Sequence, residues 1–423
     1  MIYHLFNLFD SLGWDFPGHN LMNYLSVRAI LATVTSMLVA LLAGKKIINL
    51  LARKQIGETI RELGLEGQMQ KKGTPTMGGI IIILSLLSGV LLFCNLTNIY
   101  IQLLVFSTLW CGALGFADDY IKVFKHNKEG LSERAKLLGQ LILGLAIGIA
   151  VWLSPEIVVR EKVAAAQTAE VTLPGEDKTV DSEQAIPVNV YQEENVVKST
   201  KTTIPFVKEH EFDYKWLSPF KGALGWYIKW AVYVLMIVLV ITACSNGTNL
   251  TDGLDGLAAG TTAIVGVVIG ILAWLSGNIV DSNYLHIMYI PGTGEVAIFM
   301  SAFVGALVGF LWYNSFPAQV FMGDTGSLTI GGVIGVSAVL IRKELLLPLL
   351  CGIFVIESLS VLLQRGWFKY TRKKYGEGRR IFKMSPIHHH YQKSGIPEAK
   401  ITTRFWIVGI LLAVSTLALL KLR

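Results

Sequence analysis

The sequence predicts an all-α integral membrane protein of ten transmembrane helices, both chain ends outside, with one external insert of β or irregular structure. Three observations carry this. Of 423 residues, 52% are apolar and only 16% charged, against about 25% charged in a soluble domain; the mean hydropathy is +0.53. The apolar residues fall into ten runs, each near the roughly 20 residues that cross a bilayer. Lysines and arginines gather in alternate loops between those runs, which sets orientation by the positive-inside rule.

Residues 2–16 have no basic leader and no small-residue cleavage site, and they carry Asp10 and Asp15. They read as a membrane-surface segment rather than a signal peptide. Spans follow at about 24–44, 77–95, 99–117, 136–154, 227–245, 257–276, 296–313, 327–342, 346–364 and 404–420. The loop after the first holds Lys45, Lys46, Arg53, Lys54, Arg61, Lys71 and Lys72. After the third come Lys122, Lys125, Lys128, Arg134 and Lys136. After the ninth come Lys369, Arg372, Lys373, Lys374, Arg379, Arg380 and Lys383. Loops after odd-numbered spans are therefore cytoplasmic. The insert, about 155–225, divides one membrane domain into 1–154 and 226–423. It is rich in Glu, Lys, Thr and Val, includes Gly175-Glu176-Asp177 and Ile186–Val190, and alternates at Ile204–Val207; β-hairpins or partial disorder are expected. Long translocated loops escape the basic-residue count.

Composition also excludes. Net charge is +7 with the basic residues in loops, which suits anionic headgroups and anionic substrates; no nucleic-acid-binding motif is present. Cys94, Cys111, Cys244 and Cys351 lack metal spacing and read as small buried hydrophobes. The absence of an internal repeat counts against a repeat-built transporter.

Five aspartates stand at the cytoplasmic ends of spans: Asp118 and Asp119, Asp252 and Asp255, and Asp324. Ionisable groups near hydrocarbon are costly and mark functional sites. One such residue is explained by helix capping or a lysine neighbour; five from three loops are not. In Gly115–Lys122 the adjacent carboxylates repel unless a cation sits beside them, and a hard divalent metal suits them. In Asn246–Gly256 the i, i+3 spacing puts Asp252 and Asp255 on one face. Its glycines admit a ligand to the backbone, and Asn246 and Asn249 offer neutral hydrogen bonds to sugar or base. In Asn314–Ser327, Asp324 sits on a tight turn at a helix start; Phe321 there is either a stacking partner for a base or an interface aromatic. His388, His389 and His390 suggest zinc, but consecutive residues rarely converge on one ion; an imidazole near phosphate reads better as proton donor or phosphate contact. Lys71–Gly79 lacks the spacing of a nucleotide-hydrolysing P-loop, yet its lysine can reach a diphosphate or a uracil carbonyl.

Together these blocks, in this order, resemble the polyprenyl-phosphate N-acetylhexosamine-1-phosphate transferase superfamily, and within it the bacterial phospho-N-acetylmuramoyl-pentapeptide transferases. The resemblance rests on Gly73–Gly79, Asp118-Asp119, Asn249–Gly256, Asn314–Ser327 and Pro386–His390. It implies ten spans in the bacterial inner membrane, a cytoplasmic site, Mg²⁺ and a homodimer. The implied substrates are UDP-MurNAc-pentapeptide and undecaprenyl phosphate, the products UMP and the lipid-linked sugar. It implies Asp324 as metal ligand, joined by Asp118, with Asp118 and Asp119 the catalytic pair and His388 essential. Lys122 and Lys136 fall on the phosphate side. Lys71, Thr76, Asn246, Asn249, Asp252, Asp255, Asn314, Phe321, Gln364 and His389 fall to the nucleotide sugar. Two departures from the family pattern are the long insert and the extra residues Tyr370–Gly378 before the histidines. A transporter, with charges at the membrane midplane, and a sister transferase using another UDP-sugar are the competing readings.

Overall fold

Apolar chain in a bilayer must bond its own amides, and a helix does so within one segment. In the computed structural model, which describes residues 1–13, 19–54, 71, 73–125, 127, 129–160, 196–205 and 211–421, each of the ten expected runs falls on helical chain. Asp15, Arg61, Lys72, Lys128, Gly175–Asp177 and Ile186–Val190 lie outside the described residues. A short helix α1 (Ile2–Ser11) precedes α2 (Leu25–Arg53), α3 (Gly79–Phe93), α4 (Ile99–Phe124) and α5 (Glu133–Leu153). Beyond the insert come α6 (Gly222–Thr251), α7 (Leu257–Ser276), α8 (Ile279–Leu285), α9 (Gly294–Asn314) and α10 (Gly323–Leu340). The chain ends with α11 (Leu347–Leu350), α12 (Gly352–Tyr375), α13 (Ile387–Gln392) and α14 (Glu398–Leu419). This is an all-α membrane protein.

Among the described residues, eight helices are long and apolar enough to cross a bilayer. The other two runs differ from a plain span. Helix α3 has 15 residues, about 22 Å at 1.5 Å per residue, against a hydrocarbon core of about 30 Å. The run at 346–364 is not one straight helix: the axis bends by 76° between Glu344–Leu350 and Gly352–Tyr375. The break falls at Cys351, whose backbone leaves helical geometry at φ −91° and ψ 24°, just before Gly352.

Helix α10 is the axis of the molecule. Every residue from Thr325 to Leu340 is buried, and α3, α4, α6 and α7 pack around it. Small residues allow this. A Cβ at Gly331 would overlap the Cys244 carbonyl of α6, and one at Gly332 would meet Cys111 Sγ of α4 at 2.5 Å. Close backbone approach of this kind is how helices gain packing energy where lipid offers no hydrophobic drive.

The described part of the insert holds two short antiparallel strand pairs, while the expected stretch Ile204–Val207 supplies no described strand, its residues 206 and 207 lying outside the described residues. Strand β1 (Val159–Arg160) pairs antiparallel with β2 (Val196–Val197), and β3 (Lys201–Thr203) with β4 (Glu211–Asp213). The second pair docks on the C-terminal end of α10. Thr203 donates its amide to the Arg342 carbonyl at 3.0 Å, Lys343 Nζ donates to Thr203 Oγ1 at 2.7 Å, and Tyr214 donates to Glu344 Oε1 at 3.3 Å. Arg342, Lys343 and Glu344 are all buried; burial pulls the Lys343 ammonium down to about 8. One end of α10 is thus held by the insert and the other by the acidic cluster.

Candidate active site

The cluster forms where α4 ends and α10 begins. Gly115 lets the two helices touch, since a Cβ there would overlap the Asp324 carbonyl. Gly323 turns the chain into α10 at φ 71°, a left-handed conformation glycine tolerates. The first amides of α10 then need acceptors. Asp119, from the other helix, supplies them: Oδ1 accepts the Asp324 amide at 3.0 Å, and Oδ2 accepts the Thr325 amide at 2.8 Å and hydroxyl at 2.6 Å. Asp118 faces the other way. Its Oδ1 accepts the Leu131 amide at 2.7 Å and Lys136 Nζ at 2.9 Å, and its Oδ2 lies 2.5 Å from Lys122 Nζ. Both ammoniums continue to Asp324 Oδ2, Lys122 at 3.1 Å and Lys136 at 2.5 Å. Asn249 donates to Asp324 Oδ1 at 2.9 Å and to Ser327 Oγ at 2.8 Å.

Asp118, Asp119 and Asp324 each offer an oxygen within 4.8 Å of the others. These are hard oxygen donors with no thiolate or imidazole among them, a set that fits Mg²⁺ better than zinc. Two lysines beside the carboxylates give the centre the means to neutralise phosphate oxygens as well.

A second half adjoins the first through the turn Phe321–Asp324. Lys71 Nζ lies 2.6 Å from Asp255 Oδ1, 2.6 Å from Glu398 Oε1 and 5.8 Å from the Phe321 ring centroid. Asp255 Oδ2 accepts the Ala318 amide at 3.0 Å; Glu398 Oε1 accepts the Asp255 amide at 2.8 Å. The Thr74–Gly79 segment pairs with this turn through the backbone. Phe321 donates its amide to the Pro75 carbonyl at 2.8 Å, Gly78 donates to the Phe321 carbonyl at 2.8 Å, and Gly79 to the Met322 carbonyl at 2.9 Å. Thr76 is buried beside it. An aromatic face, an ammonium and two carboxylates fit a planar, hydrogen-bonding base.

The three histidines have three separate partners. His388 is fully buried, with Nδ1 3.1 Å from Glu357 Oε2. His389 Nδ1 meets Gln392 Oε1 at 2.7 Å, and burial, helped by His388, pushes its imidazole down to about 4. His390 Nδ1 accepts the Lys383 amide at 3.1 Å. They do not gather round one ion.

The sequence also matches known proteins. A family model described as glycosyl transferase family 4 matches residues 196–342. The phospho-N-acetylmuramoyl-pentapeptide-transferase signature 1 matches residues 71–83, the stretch that pairs with the Phe321 turn. Curated proteins named phospho-N-acetylmuramoyl-pentapeptide-transferase align over all of this chain and all of their own. The identity is 52% for Parabacteroides distasonis, 53% for Flavobacterium johnsoniae and 51% for Porphyromonas gingivalis. The chain belongs to the phospho-N-acetylmuramoyl-pentapeptide transferase family.

Within this transferase the expected site residues divide. Asp118, Asp119, Lys122, Lys136, Asn249 and Asp324 form one half, and Lys71, Asp255 and Phe321 the other. Asp252 lies at the C-terminal cap of α6, between the halves in sequence. Three expected residues are engaged by the protein itself. Gln364 Oε1 accepts the Ile381 and Phe382 amides at 3.0 Å each, and its Nε2 donates to the Phe382 carbonyl at 3.1 Å. Asn314 joins the Gly256 amide, at 3.1 Å, to the Val320 carbonyl, at 2.9 Å. Asn246 pairs with Gln140 of α5 at 2.8 Å. Glu357 and Glu398 join the site without having been expected. Glu357 carried a readable signal, an acid inside an apolar run; Glu398, in a polar stretch far from Lys71, carried none.

Proposed function

We propose that the chain transfers phospho-MurNAc-pentapeptide from UDP-MurNAc-pentapeptide to undecaprenyl phosphate, giving UMP and the lipid-linked intermediate (lipid I) of peptidoglycan synthesis. The observation that carries this reading is that Asp118 and Asp324, from separate helices, share the same two lysines. The reaction brings two anions together, and phosphoryl transfer asks the protein mainly for positioning and charge neutralisation. Asp118 and Asp324, with Asp119 behind them, would hold Mg²⁺, which polarises phosphate oxygens when bound. Lys122 and Lys136 lower the repulsion met by the incoming lipid phosphate. Lys71, Asp255 and Phe321 hold the uridine side, with Asn249 at the junction.

A phosphomonoester's second pKa is about 6, so the acceptor is mostly a dianion near neutral pH and attacks the sugar-bearing phosphorus directly. Its oxygen forms the new P–O bond as UMP leaves. Asp118 arranges the cations and forms no phosphoryl intermediate. The reading includes ten spans in the bacterial inner membrane, both ends periplasmic, the site cytoplasmic and a homodimer. Its support is the positive-inside count and the family membership. The rival transporter expects charges at the midplane; here the five aspartates stand at or near helix ends.

A radiolabel-transfer assay on the purified protein, offering UDP-MurNAc-pentapeptide and UDP-GlcNAc separately, tests the proposal. Label should pass to undecaprenyl phosphate from the first donor only, with UMP release dependent on both Mg²⁺ and lipid phosphate. Transfer from UDP-GlcNAc would assign the sister reaction, and UMP release without lipid would refute direct transfer.

A further inference from the structure

Glu357 and His388 make an isolated buried pair. Glu357 lies on α12 and His388 on α13, and both side chains are wholly buried. Nδ1 and Oε2 are 3.1 Å apart, a contact of ion-pair distance outside hydrogen-bonding geometry, and no hydrogen-bond partner among the described residues reaches either carboxylate oxygen or either ring nitrogen. A buried carboxylate with one polar neighbour is costly unless that neighbour is held against it. The reverse also follows: a carboxylate this close to Nδ1 favours a proton there and restrains the ring, as carboxylates do behind functional histidines.

The opposite edge of the ring meets backbone. A Cβ at Gly253 would overlap His388 Nε2 and come within 2.8 Å of Cε1. Gly253 sits between Asp252 and Asp255, and its φ is not in the left-handed region. The absence of a side chain there is therefore explained by the imidazole and not by the turn's own conformation. His388 does not open onto solvent; it is wedged between a glutamate behind and the acidic turn in front.

We infer that Glu357 is a positioning residue, acting through His388 to hold the Asp252–Asp255 turn in the register that receives the nucleotide sugar. The inference rests on the reading above, which gives that turn to the nucleotide side, and it assigns His388 a part in binding the donor rather than in moving a proton at the reacting phosphate.

The test is steady-state kinetics on the full-length enzyme in detergent, with both substrates varied. Glu357→Gln keeps the shape and removes the charge behind Nδ1. It should raise KM for UDP-MurNAc-pentapeptide about tenfold, with kcat and the KM for undecaprenyl phosphate changed less than about twofold. Gly253→Ala presses on the same ring from the other side with the buried pair intact, and should show the same split; it keeps the question open to measurement if Glu357→Gln does not fold. In a His388→Asn background, Glu357→Gln should add nothing further, because its route is gone. A fall in kcat with donor KM unchanged would overturn the inference, as would additive effects in the double variant. Asp252→Asn is the control for the underlying reading. If it fails to raise the donor KM, the nucleotide side is misplaced and the inference falls with it. If it raises the donor KM while Glu357→Gln and Gly253→Ala do not, the inference alone fails.

Discussion

Asp118 and Asp119 are adjacent in the chain and do different work. Asp119 accepts two amides and a hydroxyl at the start of α10, so its substitution by asparagine sets an amide donor against amide donors. We expect Asp119→Asn to lose about 1–3 kcal/mol of stability, read as a lower thermal midpoint, together with activity. Asp118→Asn should keep its midpoint more nearly and lose on the order of 10²–10³ in kcat, read by UMP release. His389 gives a pH prediction. Its folded imidazole titrates near 4, below the unfolded value of about 6.5. Between those pH values the unfolded chain binds the proton and the folded chain does not, so stability falls as pH drops from 6.5 to 4. His389→Gln should flatten that part of the midpoint-against-pH curve; an unchanged slope would place the loss elsewhere. At this scale the aspartates were legible because acids beside apolar runs are rare. Glu357 obeys the same rule and was readable on the same grounds. The engagement of Gln364 and Asn314 with backbone was not, since it depends on partners that only the folded chain brings near.

Helices meet here through glycine. At Gly115 the obstructing atoms are the Asp324 carbonyl and the Thr325 Cα, backbone that cannot turn aside. Gly115→Ala should therefore cost about 1–3 kcal/mol by overpacking and impair turnover by moving Asp324 off its cap. Gly366 of α12 meets nothing within 4 Å, and Gly366→Ala should be neutral or stabilise by up to about 1 kcal/mol through helix propensity. Paired thermal melts distinguish these outcomes directly. The long apolar helices were legible from run length, while the short α1, α8 and α13 fall outside the ten runs. The bend before α12 was not, because a 19-residue window averages over Cys351 and Gly352, and the continuation to Tyr375 is amphipathic and basic where a span is uniformly apolar.

Across the whole molecule, α10 ties the insert to the acidic centre. The Lys343–Thr203 contact is at the far end, so Thr203→Val, which leaves a buried ammonium short of a partner, should lower the thermal midpoint by an amount equivalent to about 1–3 kcal/mol and leave donor KM unchanged. The sequence suggested β structure or disorder in the insert but not the berth of its strands, since no local pattern pairs a strand with the end of a helix so far along the chain. It also indicated that five acids share one face of the membrane; the separate gathering of Asp255 depends on Lys71 reaching Asp255 and Glu398, contacts that only the fold reveals. The claim on which all else depends is that Asp118 and Asp324 serve one cation. Mn²⁺ titration of the full-length protein, followed by electron paramagnetic resonance without substrates, reads that claim most directly. One site per chain should appear, weakened at least about tenfold by Asp118→Asn and by Asp324→Asn alike. Wild-type affinity in either variant would contradict it.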